Sequence, residues 1–307
     1  MRKHLLVFLV ALLSACATAP NPAPSLAGAP ADPGRRTVTP LRVMSFNLRY
    51  NNTGDGPNAW PLRKAWVAQL IRFHDADVVG VQEALSGMLA DLDTLLPEYS
   101  RIGVGRTDGK MSGEYSAILY KRDRLEVLEN KTFWLSPTPE AIGSKGWDAA
   151  LERIATWGRF RDRATGCVYI HLNTHFDHKG EQARQESARL IRERLATIDA
   201  AGLPLVMTGD LNSNPTSVGY RILTHDTIPG AFAPLVDAMH ASREGHYDPT
   251  SSFTGFRAIR PDGNKIDYVL VSPSVEVQKH GILPDNWDNR FPSDHQPVLA
   301  TVIIRCK

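Results

Sequence analysis

The stretch VMTGDLNSNP, residues 206–215, ends an apolar run with an aspartate and an asparagine, Asp210 and Asn212, two positions apart. The apolar residues before them are typical of a buried strand. A carboxylate or a carboxamide in such surroundings costs free energy unless it has ionic or hydrogen-bonding partners. On extended backbone, side chains two positions apart point the same way. The stretch therefore indicates a polar site at the end of a strand, with partners elsewhere in the chain.

Apolar runs with strand character recur along the chain, and helical patterns separate several of them. The runs cover residues 41–47, 77–83, 115–121, 165–175, 204–210, 266–272 and 298–305. Apolar residues at helical spacing follow Pro61, occupy 85–96 and follow Glu181. Strands alternate with helices early and hairpins dominate later, so we expect one α/β domain over residues 41–307, without an internal repeat.

Most of these runs finish with residues that can bind metal ions or move protons. They are Asn47, Glu83, His175 with Asp177, Asp210 with Asn212, Asp267, and Asp294 with His295. Each alone is explained as a turn former, a helix cap or a hydrogen-bonded core histidine. Strand ends are where α/β folds place their sites, and packing alone does not put such residues at five of them. We therefore expect these side chains to converge in one cleft.

The motifs SFNLR, QE, NTH, GDLN, ID and SDH resemble, in order and spacing over residues 41–305, the endonuclease/exonuclease/phosphatase superfamily. SFNLRYNN, GPNAWPLR, RIATWGRF and NTHFDHKG look like a bacterial subgroup similar to the deadenylase-like members. The resemblance implies an α/β (α+β) fold, a four-layer α/β/β/α sandwich of two packed, mostly antiparallel sheets flanked by helices. It also implies a divalent-metal-dependent phosphohydrolase, and we favour a phosphodiesterase or nuclease.

The resemblance also implies a role for each site residue. The implied catalytic residues are Asp210, Asn212, His175, His295 and Asp267; the implied metal ligands are Asn47, Glu83 and Asp294; the implied substrate contacts are Tyr115, Arg153 and Asp177. Carboxylate and carboxamide oxygens suit Mg²⁺ or Mn²⁺, and no His/Cys cluster with zinc spacing is present in the sequence. For Tyr115 an ordinary strand residue, for Arg153 a surface ion pair, and for Asp177 a loop-ordering role are the alternatives.

The N-terminal sequence is typical of an export signal. Basic residues at 2–4 precede a nine-residue apolar run at 5–13, which is too short to span a bilayer, so we interpret residues 1–15 as a signal peptide. The ending LSAC resembles a bacterial lipoprotein box, which implies cleavage before Cys16 and lipidation of that cysteine. Ala17 then implies sorting to the outer membrane, facing the periplasm. The alternative is an ordinary signal peptide with a chance cysteine.

Residues 16–40 are rich in alanine and proline and predict an extended tether to the domain at 41–307. Without Arg2 and Lys3 the 35 basic residues become 33, equal to the 33 acidic ones. A neutral chain lacks the basic footprint that holds long nucleic acid.

The charge and the hydrophobic pattern also bear on the substrate. A nucleotide or a short oligonucleotide is favoured over sphingomyelin and inositol phosphates, because the sequence has no long apolar hairpin for docking on lipid. The alternative from another class is a binding lipoprotein that has lost catalysis. No protein partner is implied, and we expect a monomer.

Two cysteines remain beyond the lipoprotein box, Cys167 and Cys306. Neither lies in a CxxC or thiol-protease context, so we interpret both as buried structural residues. An exported chain can oxidise them, but a disulfide between them cannot be inferred without geometry.

Overall fold

The computed structural model describes residues 39–199, 202–247, 249–260 and 263–306. The expected signal peptide at 1–15 lies outside these residues, as does the expected tether except for its last two positions. Within the described ranges, no helix combines the length and the apolarity that crossing a bilayer requires.

Two β-sheets form the centre of the described part of the chain. The first contains β1 (Leu41–Asn47), β2 (Val78–Ala84), β3 (Tyr99–Ile102), β4 (Tyr115–Lys121), β10 (His246–Tyr247), β12 (Glu276–Ile282) and β13 (Val298–Ile303), in the order β10-β12-β13-β1-β2-β4-β3. The second contains β5 (Leu125–Trp134), β6 (Ile154–Asp162), β7 (Val168–His175), β8 (Leu205–Asp210), β9 (Val236–Asp237) and β11 (Asp267–Val271), in the order β5-β6-β7-β8-β11-β9.

Most neighbouring strands run antiparallel, and the parallel pairs are β1 with β2, β10 with β12, and β7 with β8. Asp210 at the end of β8 is opposite His175 in β7 and opposite Asp267 in β11. This register places three polar residues side by side at one end of three neighbouring strands of the second sheet.

The longer helices cover the outer faces of the two sheets, and a single-turn helix contributes the buried Ala238 to the space between them. The helices are α1 (Trp60–Phe73), α2 (Ser86–Leu95), α3 (Glu181–Ile198), α4 (Val218–Thr224) and the single turn α5 (Ala238–Ala241), and a 3₁₀ segment spans Thr53–Asn58. Val67 and Leu70 of α1 pack with Phe46 of β1, whereas Ile191 of α3 packs with Leu172 of β7. A third apolar cluster fills the space between the sheets. The predicted four-layer α/β/β/α sandwich is confirmed.

A polar cluster connects the two sheets inside the core. The Asn173 amide nitrogen donates to two backbone carbonyls of the first sheet, both at 2.9 Å. Its oxygen accepts from Gln82 Nε2 at 2.7 Å and from Thr208 Oγ1 at 3.0 Å. The buried amide is fully satisfied, so it joins the sheets without the penalty of an unpaired polar group. Gly80 leaves room for it, because a Cβ there would lie 2.0 Å from Thr208 Oγ1.

Cys167 and Cys306 form a disulfide, with their Sγ atoms 2.00 Å apart. The bond joins the segment that follows β13 to the turn that leads into β7. Cys167 is buried, as expected, whereas Cys306 is half-buried.

Candidate active site

The strand ends of both sheets meet around a cavity of about 610 Å³. The predicted site residues that line it are Glu83, Arg153, His175, Asp210, Asn212, Asp294 and His295. Asn47, Asp177 and Asp267 are fully buried and support lining residues through hydrogen bonds. The predicted residues therefore converge in one region, and Tyr115, which does not line the cavity, borders a small neighbouring pocket with Arg153 and His175.

Asp210 lines the cavity and is 1% exposed. Its Oδ2 accepts a hydrogen bond from Asn47 Nδ2 at 2.9 Å and lies 3.4 Å from His175 Nε2 and 3.8 Å from His295 Nε2. Burial and the negative charge of Asp267 raise the pKa of Asp210 to about 7. A carboxyl group with this pKa can accept or donate a proton near neutral pH.

His295 is oriented by Asp267, whose Oδ2 lies 2.8 Å from His295 Nδ1. Burial disfavours the imidazolium, but the carboxylates of Asp267 and Asp210 outweigh this effect and raise the pKa of His295. The pairing through Nδ1 directs Nε2 toward Asp210. Ligand-type atoms of Asp210, Asp267 and His295 lie within 4.8 Å of one another. The Asp267 bond engages Nδ1 and leaves Nε2 facing Asp210, an arrangement that suits proton transfer.

Asn212 and His175 form a second polar pair beside Asp210. Asn212 Nδ2 lies 3.0 Å from His175 Nε2 and donates to the carbonyl of Phe176, also at 3.0 Å. Its backbone, at a φ of 43°, lies in the left-handed region, and its N–H donates to Asp210 Oδ1 at 2.9 Å. Burial and the charge of Arg153 lower the pKa of His175, so its imidazole is neutral. Asp210 and Asn212 are held together, as the GDLN motif at 209–212 predicts.

Glu83 and Asp294 supply carboxylates on the cavity wall. Glu83 Oε1 accepts from Asn47 Nδ2 at 3.1 Å, and its Oε2 accepts from the backbone N–H of Tyr50 at 3.0 Å. Burial raises the pKa of Asp294, and the negative charge of the nearby Glu83 raises it further. Two such carboxylates fit a hard divalent cation. Asn47, also predicted to be a ligand, donates through Nδ2 to Glu83, and its Oδ1 accepts from Arg49 N at 2.9 Å. Its role as a ligand stays a prediction.

Arg153 reaches the cavity and is held from behind by Asp177, with Nε 3.3 Å from Asp177 Oδ2. Burial alone would raise the pKa of Asp177, but backbone N–H groups, including those of Lys179 and Gly180, outweigh it and hold the pKa well below its usual range. Asp177 therefore orders the loop and the arginine, which is the alternative considered for it. Its side chain has no exposed surface, so it does not reach a substrate.

Tyr115 is the predicted site residue that the structure does not bring to the cavity. Its hydroxyl donates to the carbonyl of Lys110 at 2.7 Å, and its ring joins the apolar cluster under α1 and α2. The ordinary strand role is the one that the structure shows.

Arg63, from the GPNAWPLR motif, supports the site although no role was predicted for it. Its fully buried guanidinium donates to the backbone carbonyls of Leu48, Arg49, Asn58 and Pro292. It thereby ties the segment after β1 to the segment that carries Asp294 and His295. Burial lowers its pKa to about 10. A buried arginine paired with carbonyls alone has no signature in residue spacing.

Phe253 is a second residue that the sequence did not reveal. It lines the cavity, is 40% exposed, and its ring centroid lies 5.0 Å from that of His295. A single antiparallel backbone bridge pairs Phe253 with His295, 42 positions away, and fixes its position. The local sequence SSFTGF does not indicate this long-range contact.

Known proteins share both the sequence and the fold. The Endonuclease/Exonuclease/phosphatase family model matches residues 44–295. An endonuclease/exonuclease/phosphatase of Bacteroides vulgatus is 41% identical, with a TM-score of 0.82 over 87% of this chain and 100% of that chain. A mannosyl-6-phosphatase of Bacteroides thetaiotaomicron is 37% identical, with a TM-score of 0.81 over 86% of this chain and 100% of that chain.

Similarity to curated relatives is lower. The CCR4-Not complex 3'-5'-exoribonuclease subunit Ccr4 of Aspergillus niger is 22% identical over 355 residues, which cover 92% of this chain and 51% of the relative. The chain thus spans about half the length of this relative. The family match runs from the residues before Asn47 to His295 and encloses every polar group of the cavity. This chain therefore belongs to the endonuclease/exonuclease/phosphatase family of metal-dependent hydrolases that act on phosphate esters.

Proposed function

We propose that this protein is a divalent-metal-dependent phosphatase that removes the phosphate group of a small phosphorylated sugar. The observation that carries the proposal is Asp210, buried between His175 and His295 at a cavity of about 610 Å³. A cavity of this size admits a phosphate and one or two rings. The similarity to a mannosyl-6-phosphatase along most of both chains supports a sugar monoester.

The residues of the cavity divide the chemistry among them. When bound, Mg²⁺ or Mn²⁺ would be held by Glu83 and Asp294 and would supply positive charge to the phosphoryl oxygens. Asp210, with its pKa near 7, accepts a proton from the attacking water. The His295 imidazolium, oriented by Asp267, donates a hydrogen bond to the phosphate.

The remaining pair, Asn212 and His175, lies beside the proton acceptor Asp210. Asn212 Nδ2 lies 3.0 Å from His175 Nε2, and burial keeps the His175 imidazole neutral by lowering its pKa. The pair keeps Asp210 from rotating away from the cavity, because the Asn212 backbone N–H is bonded to Asp210 Oδ1.

A nucleotide or short oligonucleotide, cleaved as a phosphodiester, is the second candidate. Phe253 favours it, since an exposed ring at the wall of the cavity can stack on a nucleobase. Phospholipid and inositol-phosphate esters remain in the same reaction class and belong in the same test.

A substrate panel tests the proposal. Metal-stripped protein, with Mg²⁺ or Mn²⁺ restored, is assayed with mannose 6-phosphate, glucose 6-phosphate, AMP, bis-p-nitrophenyl phosphate, an oligonucleotide, sphingomyelin and inositol phosphates. We expect the kcat/KM for a sugar monophosphate to exceed that for each diester by at least about tenfold. Preferred cleavage of diesters would support the second candidate instead. An absence of metal-dependent turnover of every ester would support the non-catalytic binding lipoprotein.

We further propose that the protein is an exported monomer, anchored through a lipidated Cys16 to the outer membrane facing the periplasm. The disulfide between Cys167 and Cys306 supports export, because disulfides persist in oxidising compartments. Fractionation of cells that produce Cys16→Ala should show the protein moving from the membrane to the soluble fraction. Sedimentation of the purified protein should give the mass of a single chain. Unchanged membrane association of Cys16→Ala would exclude this anchor.

A further inference from the structure

Arg49 follows β1 and lines the catalytic cavity, in a backbone conformation unusual for a long side chain. Its φ is 54°, in the left-handed region that non-glycine residues rarely adopt. Its N–H donates to Asn47 Oδ1 at 2.9 Å, and its carbonyl accepts from the buried Arg63 guanidinium. Backbone conformations of this kind gather at functional sites, where the surroundings hold them in place.

The Arg49 guanidinium is fixed by a two-point contact with Asp55 of the 3₁₀ segment. Nε donates to Asp55 Oδ2 and Nη2 donates to Asp55 Oδ1, both at 2.9 Å. Asp55 also accepts from Asn52 Nδ2 at 3.3 Å, so the carboxylate is itself restrained. The fork uses two of the five N–H donors of the guanidinium, and the Nη1 donors and the second hydrogen of Nη2 remain available to a ligand.

The position of this charge matches the needs of phosphoryl transfer. Arg49 Nε lies 3.9 Å from Asp294 Oδ2, and the side chain is 25% exposed. The guanidinium therefore lies beside the carboxylates of the cavity wall without being enclosed by them. A phosphoryl group in transfer carries its charge on the non-bridging oxygens, which a planar guanidinium can contact at two points.

We propose that Arg49 is a catalytic residue that binds a non-bridging oxygen of the transferred phosphoryl group, and that Asp55 is the positioning residue that holds its guanidinium in place. This inference rests on the proposed function. It predicts that the product, inorganic phosphate, is bound through the same contact, so that binding can be measured without turnover.

The test compares Arg49→Gln, Arg49→Lys and Asp55→Asn with a matched control. Arg101→Gln removes an equivalent fork, since Arg101 binds Asp93 through Nε at 3.0 Å and Nη2 at 3.1 Å, is 32% exposed, and does not line the cavity. The full chain is used, with two measurements: kcat and KM for mannose 6-phosphate and p-nitrophenyl phosphate, and the Kd of inorganic phosphate by calorimetry with Mg²⁺. Thermal melting verifies that each variant is folded.

For Arg49→Gln we expect a loss of about 100-fold in kcat/KM on both substrates and a Kd for phosphate at least about tenfold weaker. Arg49→Lys should recover part of the affinity for phosphate but little of kcat, because the ammonium keeps the charge and loses the fork. Asp55→Asn should lower kcat by about tenfold with a smaller change in the Kd of phosphate. Arg101→Gln should stay within about twofold of the wild type in both.

The inference is overturned if Arg49→Gln or, should that variant not fold, Arg49→Lys binds phosphate and turns over substrate like Arg101→Gln. A wild-type protein that hydrolyses no phosphate ester contradicts the proposed function, and the Kd of phosphate still decides the role of Arg49. A wild-type protein that is active while Arg49→Gln keeps its phosphate affinity contradicts this inference alone.

Discussion

At the scale of single residues, the site concentrates charged groups that are unfavourable to bury. Asp210, Asp267 and His295 are 1%, 0% and 5% exposed, and two negative charges lie beside one imidazolium. Such an arrangement lowers the stability of the fold and is retained where it serves a reaction. Activity and stability should therefore respond in opposite directions to the loss of charge in this cluster.

Asp210→Asn is expected to lower kcat/KM by at least about 1000-fold, since it removes the proton acceptor. The folded-state pKa of Asp210, about 7, lies above the ordinary value of 3.8, so this group lowers stability progressively between pH 3.8 and about 7, and the full cost is present at pH 8. The melting temperature of Asp210→Asn at pH 8 should therefore equal or exceed that of the wild type. Asp177→Asn is the contrasting variant: its carboxylate is stabilised in the fold, so it should lose about 1–3 kcal/mol of stability. An active Asp210→Asn would remove this residue from the mechanism.

His171 predicts how stability changes with pH. It is fully buried, with Nε2 3.0 Å from Thr208 Oγ1, and burial lowers its pKa from 6.5 to about 3. Above pH 6.5 the imidazole is neutral in both the folded and the unfolded chain. Between pH 6.5 and about 3 the unfolded chain binds a proton that the folded chain does not, so stability decreases as the pH is lowered. The contribution is about 1.4 kcal/mol per pH unit.

Urea unfolding between pH 7.5 and pH 4.5 measures this slope. His171→Gln should make the fall in stability shallower by about 1.4 kcal/mol per pH unit, whereas His225→Gln, at an exposed position, should leave it unchanged. Equal slopes for wild type and His171→Gln would show that His171 does not titrate differently on unfolding.

At the scale of secondary-structure elements, the separation of the two sheets positions the site. The site draws on β1 and β2 of the first sheet and on β7, β8 and β11 of the second. Asn173 of β7 joins the two sheets a short distance below the cavity. A change in sheet separation there should therefore disturb both stability and catalysis.

Gly80→Ala tests the close approach of the sheets. The added Cβ would lie 2.0 Å from Thr208 Oγ1 and 2.6 Å from Asn173 Oδ1, so we expect a loss of about 1–3 kcal/mol in the free energy of unfolding. Gly87→Ala in α2 is the control, since its Cβ would meet nothing within 4 Å and alanine favours a helix by about 0.5–1 kcal/mol. Denaturant unfolding of both variants should show opposite signs. A neutral Gly80→Ala would mean that the sheets can separate at no cost.

Sequence predicted the elements with regular patterns and missed those fixed by distant pairing. The apolar runs 41–47 and 115–121 coincide with β1 and β4. β12 was missed because Lys279, His280 and Gly281 interrupt its apolar alternation, and the register shifts after Val277 where it pairs with β13.

The same difference between local pattern and distant pairing applies to the residues of the site. Residue types at strand ends predicted the cluster around Asp210, whereas side-chain direction depends on register and hydrogen bonds. The hydrogen bond from the Tyr115 hydroxyl to Lys110, the hydrogen-bond partners of Asn47 and the exposure of Phe253 were therefore not predictable from local sequence.

At the scale of the whole molecule, a covalent link closes the domain. The Cys167–Cys306 disulfide spans 139 positions and fastens the segment after β13 to the turn before β7. Cross-links that close long loops restrict the unfolded chain and so raise the free energy of unfolding.

Replacement of both cysteines, Cys167→Ser with Cys306→Ser, should lower the free energy of unfolding by about 2–5 kcal/mol. The kcat should change little, because neither residue lines the cavity. Denaturant unfolding with and without reductant checks this: reductant should destabilise the wild type to the level of the variant and leave the variant unaffected. A wild type insensitive to reductant under unfolding conditions would show that the bond is not formed in solution.

β1 is paired with β13, and Ser293 Oγ donates to the carbonyl of Asn47 across 246 positions at 2.7 Å. A polypeptide that is still emerging from the ribosome holds Asn47 and Glu83 early but lacks Asp267 and His295 until the later part of the domain has been made. The complete site therefore forms only when β13 docks beside β1. Partly made copies therefore carry an incomplete site.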